Sequence, residues 1–212
     1  MQKIKLIIFD LDGTLVDAYL AIESSFNYCM HKLGLESKSA TLIRRAVGWG
    51  DKNLLAPYVD KKDLNTAISL YRKHHKISLL VHSKLYPKVR LLLRQFKVKG
   101  YKLAVASNRP TEFSLILLRH LRIIEFFDYV LCADKLKHGK PAPEILNKIT
   151  RRFAFKKSQA LYVGDMIIDA QAGRRAGIKT IIVTTGSSSL SEIKKEHPFK
   201  IISEVSRLVD LM

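Results

Sequence analysis

The chain has 212 residues, of which 47% are hydrophobic, so it is long and apolar enough for one medium domain, with or without an insertion, and is not a disordered chain. The sequence has no apolar run long enough to span a membrane, which predicts a cytoplasmic protein without a membrane partner. The 37 Lys and Arg residues outnumber the 19 Asp and Glu, and the formal net charge is +18. This charge favours small anionic substrates, whereas nucleic acid is expected to bind only non-specifically.

The first predicted strand covers residues 4–10 and ends in two carboxylates, Asp10 and Asp12, followed by Gly13 and Thr14. A continuous apolar run of this kind is typical of a strand buried on both faces of a parallel sheet. Open α/β sheets bind their ligands beyond the carboxyl ends of such strands. The alternative is a strand followed by an ordinary Asp-Gly turn, which leaves the buried charge of Asp10 unexplained.

Residues 16–82, which we call the helical insert, contain helical patterns and no strand-like run. The first helix presents Ile22, Phe26 and Cys29 on one face and stops at Gly34. Further helices are predicted at about 39–47, 51–57 and 61–81.

The rest of the chain alternates between strands and helices. Strands are predicted at 101–106, 129–132, 160–163 and 178–183, and helices at 87–99, 111–121, 141–153, 167–176 and 203–211. This alternation is typical of a parallel sheet with right-handed crossovers. The sequence therefore predicts an α/β protein, with a Rossmann-like three-layer core built from residues 1–15 and 83–212 and an inserted all-helical cap at 16–82.

Polar residues follow the later strands at their carboxyl ends. Ser107 and Asn108 end the second strand just before a predicted helix, where they could bind an anion or simply cap the helix. Lys140 precedes Pro141 and is predicted to lie at a helix N-cap, facing either a cluster of carboxylates or solvent.

Asp165 ends the fourth strand and Asp169 follows one helical turn later. Asp165 is expected at the same sheet edge as Asp10 and Asp12, whereas Asp169 could face this site or only cap its helix. Several carboxylates this close cannot all be ionised without a cation. A site with only oxygen ligands is typical of Mg²⁺.

Taken in order, these motifs resemble those of the haloacid dehalogenase superfamily, in its branch of small phosphatases and phosphomutases that includes phosphoglycolate phosphatase and β-phosphoglucomutase. The resemblance covers essentially the whole chain, and the helical insert is similar to the helical cap of that branch. It rests on Asp10-Leu11-Asp12-Gly13-Thr14, Ser107-Asn108, Lys140-Pro141 and Gly164-Asp165 with Asp169.

The resemblance implies a role for each of these residues. Asp10 is the nucleophile that forms an aspartyl-phosphate, and Asp12 is the general acid and base. The remaining roles are phosphate binding by Ser107, Asn108 and Lys140, Mg²⁺ binding by Asp10, Asp165 and the main-chain carbonyl of Asp12, and support of the metal site by Asp169.

Substrate choice is expected to depend on the cap. Arg45, Trp49 and Lys52 lie around a glycine-flanked loop that could enter the active site. The alternative is that the charged side chains are solvated and Trp49 packs between cap helices.

The predicted function is Mg²⁺-dependent hydrolysis of a small phosphorylated metabolite of the phosphoglycolate type, by a monomer or homodimer. One alternative is a mutase similar to β-phosphoglucomutase, which transfers the phosphoryl group to a sugar. The other is a basic nucleic-acid-binding protein without catalysis, which the intact set of catalytic residue types disfavours.

Overall fold

The structure is a computed structural model that describes residues 3–212, so residues 1 and 2 of the predicted core lie outside the described residues. The strands are β1 (Leu6–Phe9), β2 (Val16–Asp17), β3 (Lys84–Leu85), β4 (Lys102–Ser107), β5 (Tyr129–Cys132), β6 (Ala160–Gly164), β7 (Lys179–Val183) and β8 (Lys200–Ile202). The helices are α1 (Tyr19–Lys32), α2 (Ala40–Ala46), α3 (Asp51–Leu55), α4 (Leu64–His82), α5 (Val89–Val98), α6 (Thr111–His120), α7 (Glu144–Arg152), α8 (Ile167–Ala176) and α9 (Leu190–Lys195).

A parallel sheet forms the centre of the protein, and its strand order is β5-β4-β1-β6-β7-β8. β1 lies between β4 and β6, with Phe9 in register with Val105 on one side and Val163 on the other. From β1 the sheet continues with β4 and β5 on one side and with β6, β7 and β8 on the other. The strand order therefore reverses at β1, and sheets of this kind bind ligands at the carboxyl end of such a switch point.

Both faces of the sheet are covered, which gives the three layers that the sequence predicts. Ile7 and Phe9 belong to the apolar core shared with α5 and α6, whereas Leu6 and Ile8 face the core shared with α7 and α8. All four side chains are fully buried, as expected for the middle strand of a parallel sheet. The predicted α/β class is confirmed.

The helical insert folds around an apolar core of its own. Tyr19, Ile22, Phe26 and Met30 of α1 pack there against the other helices of the insert. Two short strands connect the insert to the rest of the protein, β2 at its start and β3 just after its end. They pair in an antiparallel arrangement, with Val16 opposite Leu85.

The structure revises two predicted elements, adds two that the sequence analysis missed, and places the two-residue strand β2 at the start of the insert that is predicted to be all-helical. The sheet contains a strand that the sequence analysis missed, β8, and the polar segment at 184–189 leads into the unpredicted helix α9. The final helix is a 3₁₀ helix, Val205–Leu211. The helix predicted from Pro141 begins only at Glu144.

Lys140 is therefore not at a helix N-cap, and its peptide bond to Pro141 is cis. The side chain of Asn108 accepts a hydrogen bond from the main-chain N–H of Lys140 at 2.8 Å and donates one to its carbonyl oxygen at 2.9 Å. Tertiary contacts of the loop, rather than a helix end, thus fix this residue. Within residues 3–212, no helix combines the length and apolar character needed to cross a membrane.

Candidate active site

Three strands deliver polar residues to one edge of the sheet. Asp10 follows β1, Ser107 ends β4 and Asp165 follows β6, and all three side chains are buried. The strand register brings them together, as the sequence predicts for the carboxyl ends of neighbouring parallel strands.

Lys140 joins two of the buried carboxylates. Its Nζ lies 2.9 Å from Asp10 Oδ2 and 2.7 Å from Asp169 Oδ1, and only 1% of its side chain is exposed. Although burial opposes it, the proximity of Asp10 and Asp169 raises the pKa of Lys140 above its usual range, so the ammonium keeps its proton. Lys140 is thus a fixed positive charge under the nucleophile candidate.

Asp10 has an environment that disfavours its charged form. Burial, opposed by Lys140 and reinforced by Asp169, raises the pKa of Asp10 from 3.8 to about 7. A single ammonium faces both carboxylates and cannot neutralise them fully. Further positive charge near Asp10 would return it to the ionised form in which a carboxylate is nucleophilic.

Asp169 is held by hydrogen bonds to both of its carboxylate oxygens. Its Oδ1 accepts from Lys140 and from the hydroxyl of Tyr162 at 2.6 Å, while its Oδ2 accepts from the main-chain N–H groups of Asp165 and Met166. These hydrogen bonds hold the N-terminal end of α8 against the carboxyl end of β6. They hold Asp169 next to Asp165, and support of a metal site by Asp169 stays a prediction.

Asp165 carries a carboxylate oxygen without a partner. Its Oδ1 accepts from the hydroxyl of Thr14 at 3.0 Å, but within residues 3–212 no hydrogen bond reaches its buried Oδ2. Burial, with the negative charges of Asp169 and Asp10, raises the pKa of Asp165 well above its usual range. An orphaned oxygen in a buried acidic cluster is the arrangement that a bound cation satisfies.

Glycines keep the space beside this oxygen open. A Cβ atom at Gly186 would lie 1.9 Å from Asp165 Oδ2, and one at Gly13 would lie 2.3 Å from it. Gly13 also has a φ of +79°, a backbone conformation that L side chains rarely adopt. The site therefore fits a small cation next to Asp165.

Asp10, Asp165 and Asp169 each place a carboxylate oxygen within 4.8 Å of the others and could together hold a metal ion. Because the hydrogen bonds of Asp169 already use both of its oxygens, Asp10 and Asp165 are the better ligand candidates. The donor set consists of oxygen atoms only, which suits hard cations.

Asp12 is bound by an arginine that the sequence analysis did not assign to the site. Arg109 donates from Nε to Asp12 Oδ2 at 2.9 Å and from Nη2 to Asp12 Oδ1 at 2.6 Å. Its remaining Nη1 lies 2.7 Å from Nε2 of His75, which belongs to α4 of the helical insert. Arg109 thereby connects the acidic motif to the insert.

A cavity lies between the insert and the carboxyl edge of the sheet. Asp10, Asp12, Ser107 and Arg109 line it from the core side, and from the insert side it is closed by Val47, Gly48, Gly50, Leu54, Tyr71 and His75. Its volume available to the centres of water-sized molecules is about 50 Å³, which is room for a few waters or one small ligand.

The two polar residues after β4 have different surroundings. Ser107 lines the cavity, and its Oγ accepts from the main-chain N–H of Arg109 at 3.2 Å. Asn108 also lines the cavity, but its side-chain amide bonds to the main chain of Lys140 and to the carbonyl of Gly48. Asn108 therefore ties the lysine loop to the insert, and phosphate binding by it stays a prediction.

The three insert residues predicted for substrate choice lie outside the cavity lining. Trp49 and Lys52 are exposed, and Arg45 pairs with Glu192 of α9 at 2.7 Å. A role for Arg45, Trp49 and Lys52 in specificity stays a prediction. The insert residues that do face the cavity include Tyr71 and His75, whose positions on α4 gave no signal in the sequence.

Comparisons with known proteins agree with this geometry. The family model of the haloacid dehalogenase-like hydrolases matches residues 7–183. The phosphoglycolate phosphatase of Aquifex aeolicus is 33% identical over 208 residues, which cover 98% of this chain and 96% of that protein. The phosphoglycolate phosphatase of Nitrosococcus oceani is 29% identical over 220 aligned positions, covering 100% and 98%.

A solved structure shows the same architecture. The crystal structure of a predicted phosphoglycolate phosphatase from Haemophilus somnus superposes on this chain with a TM-score of 0.93 at 26% identity. The superposition covers 100% of this chain and 99% of that one.

Proposed function

The chain belongs to the haloacid dehalogenase-like hydrolase family, and we propose that it hydrolyses phosphoglycolate, or a phosphate monoester of closely similar size and charge, with Mg²⁺ bound at Asp10 and Asp165. The chain is a phosphatase, that is, a phosphoric monoester hydrolase. What carries the proposal is the placement of Asp10 against Lys140, with Asp12 and Ser107 lining the same small cavity.

The proposed reaction has two steps. A carboxylate oxygen of Asp10 attacks phosphorus, the ester P–O bond breaks, and the leaving alcohol oxygen takes a proton from Asp12. Water then attacks the phosphorus of the aspartyl-phosphate while Asp12 takes its proton. The P–O bond to Asp10 breaks and releases inorganic phosphate.

The protein's own charges and hydroxyls support the transferred group. Ser107 lies at the cavity wall to hold a phosphoryl oxygen, and Lys140 fixes the position of Asp10 and offsets part of the negative charge. Such positioning and charge neutralisation make up most of the catalysis of phosphoryl transfer. When bound, Mg²⁺ supplies further neutralisation, with the main-chain carbonyl of Asp12 as an additional proposed ligand.

The relatives favour a small substrate. The curated relatives are named phosphoglycolate phosphatases, which also favours hydrolysis over the mutase alternative. A cytoplasmic location and a monomeric or dimeric state stay proposals from the sequence.

Steady-state phosphate release from 2-phosphoglycolate, with Mg²⁺ and with EDTA, tests the proposal. We expect release that requires Mg²⁺ in the native protein and is lost in Asp10→Asn. Asp60→Asn, which removes an exposed carboxyl outside the cavity lining, serves as the matched control and should retain activity. Absence of Mg²⁺-dependent release by the native protein from both 2-phosphoglycolate and p-nitrophenyl phosphate would contradict a phosphatase.

A further inference from the structure

Arg109 is the only Lys or Arg among the residues that line the cavity in the described chain. Only 6% of its side chain is exposed. It directly follows Ser107 and Asn108, and its main-chain N–H bonds to Ser107 Oγ. A positive group therefore lies beside the place where the phosphoryl group is proposed to bind.

The helical insert holds this guanidinium from the other side. Burial, with the positive charge of Arg109, lowers the pKa of His75 to about 2, so the ring is neutral. The hydroxyl of Ser25 donates to the carbonyl of Ala21 and therefore accepts from Nδ1–H of His75 at 3.0 Å. This leaves His75 Nε2 to accept from Arg109 Nη1. The neutral ring of His75 thus orients the guanidinium of Arg109 without neutralising its positive charge.

The remaining edge of the guanidinium, Nε and Nη2, forms a fork that matches a carboxylate. In the structure Asp12 occupies this fork with both of its oxygens. Those oxygens are the ones that the proposed mechanism needs at the ester oxygen of the substrate. For Asp12 to act there, another anion has to replace it on Arg109.

We propose that Arg109 determines substrate specificity by exchanging partners: the carboxylate of a short phosphorylated acid takes the fork and releases Asp12 towards the ester oxygen. The inference rests on the proposed function and narrows the substrate class to phosphate monoesters that carry a carboxylate close to the ester oxygen. The other carboxylate at the insert side of the cavity, Asp51, is paired with Arg72 at 2.6 Å and leaves Arg109 as the available cation.

The test compares kcat/KM for 2-phosphoglycolate with kcat/KM for ethyl phosphate, which has the same length but no carboxylate. We expect the native protein to prefer 2-phosphoglycolate by about 100-fold or more, the scale of one charge-assisted bidentate pair. In Arg109→Met this ratio should collapse towards one. Arg151→Met makes the same substitution at an exposed position of α7 and should keep the native ratio.

The ratio of the two kcat/KM values distinguishes recognition of the substrate carboxylate by Arg109 from a merely structural role of Arg109. If Arg109 only positions Asp12, both substrates lose activity by the same factor in Arg109→Met and the ratio stays native, which overturns the inference. A native ratio near one overturns it as well and leaves the phosphatase intact. Hydrolysis of neither substrate by the native protein refutes the proposed function itself.

A second variant keeps the test open if Arg109→Met does not fold. Arg109→Lys retains the positive charge but lacks the two-pronged geometry. We expect its ratio to fall between those of the native protein and Arg109→Met. A native ratio in Arg109→Lys would contradict recognition through the fork.

Discussion

Replacing the nucleophile candidate should stabilise the metal-free protein, and the gain should depend on pH. Asp10→Asn keeps the shape of the side chain and removes the charge that burial opposes. Because the folded pKa of Asp10 is about 7, against an ordinary value of 3.8, the folded protein holds a proton that the unfolded chain has already released between these two values. The free energy of unfolding therefore falls as pH rises through this window.

The size of this change in the free energy of unfolding follows from the shift in the pKa of Asp10. A rise of about three pKa units, at about 1.4 kcal/mol each, corresponds to a penalty on the order of 4 kcal/mol once Asp10 is ionised. The penalty is absent below about pH 4 and complete somewhat above pH 7. Asn mimics the protonated acid, so Asp10→Asn should be more stable than the native protein by up to this amount at pH 8, and about equally stable at pH 4.

Urea denaturation in EDTA across this pH range measures the difference. Titrating groups far from Asp10 contribute equally to both proteins and cancel, whereas Asp165, whose pKa the charge of Asp10 helps to raise, adds to the difference in the same direction. Asp60→Asn controls for the loss of one negative charge on a strongly basic chain. A difference between Asp10→Asn and the native protein that stays constant from pH 4 to pH 8 would refute the reasoning. Saturating Mg²⁺ should stabilise the native protein at pH 8 and reduce the difference.

Three further predictions concern the surroundings of the site. Tyr162→Phe removes a buried hydroxyl from the lysine–carboxylate cluster and should lower the free energy of unfolding by about 1–3 kcal/mol; an unchanged urea midpoint would contradict this. Gly186→Ala places a Cβ 1.9 Å from the free oxygen of Asp165 and should weaken Mg²⁺ binding by about tenfold or more, whereas an unchanged Kd by calorimetry would be inconsistent with a cation there. The exposed pair of Arg45 and Glu192 joins the insert to α9, and each residue also makes a separate contact, Arg45 with the carbonyl of Ser187 and Glu192 with the N-terminus of α9; urea denaturation of Arg45→Ala, Glu192→Ala and the double variant should therefore show a small favourable coupling between them that weakens at high salt, and strictly additive effects would contradict a stabilising pair.

The residues at the strand ends could be predicted because a parallel sheet brings its carboxyl ends to one edge. Asp10, Ser107 and Asp165 each follow an apolar run, and their meeting depends only on the strands being parallel neighbours. Lys140 lies near them for a different reason than expected. Asn108 binds its main chain and fixes the loop, a tertiary contact that no local pattern announces.

The insert side of the cavity could not be predicted in this way. His75 lies on a helix whose facing partner depends on how the insert packs against the core. Arg109 follows Ser107 and Asn108 in the sequence, but nothing there shows that its side chain bridges Asp12 and His75. The three-residue strand β8 was not predicted for a simpler reason, since it is too short to show a period-two pattern.

The most direct measurement is to trap the covalent intermediate. The native protein and Asp10→Asn are mixed with a ³²P-labelled phosphate monoester and Mg²⁺, quenched in acid within one turnover, and digested for peptide mapping. We predict acid-stable, base-labile label on the peptide that contains Asp10 in the native protein, and none in Asp10→Asn. Turnover without any label, or label on another peptide, would contradict the assignment of Asp10 as the nucleophile.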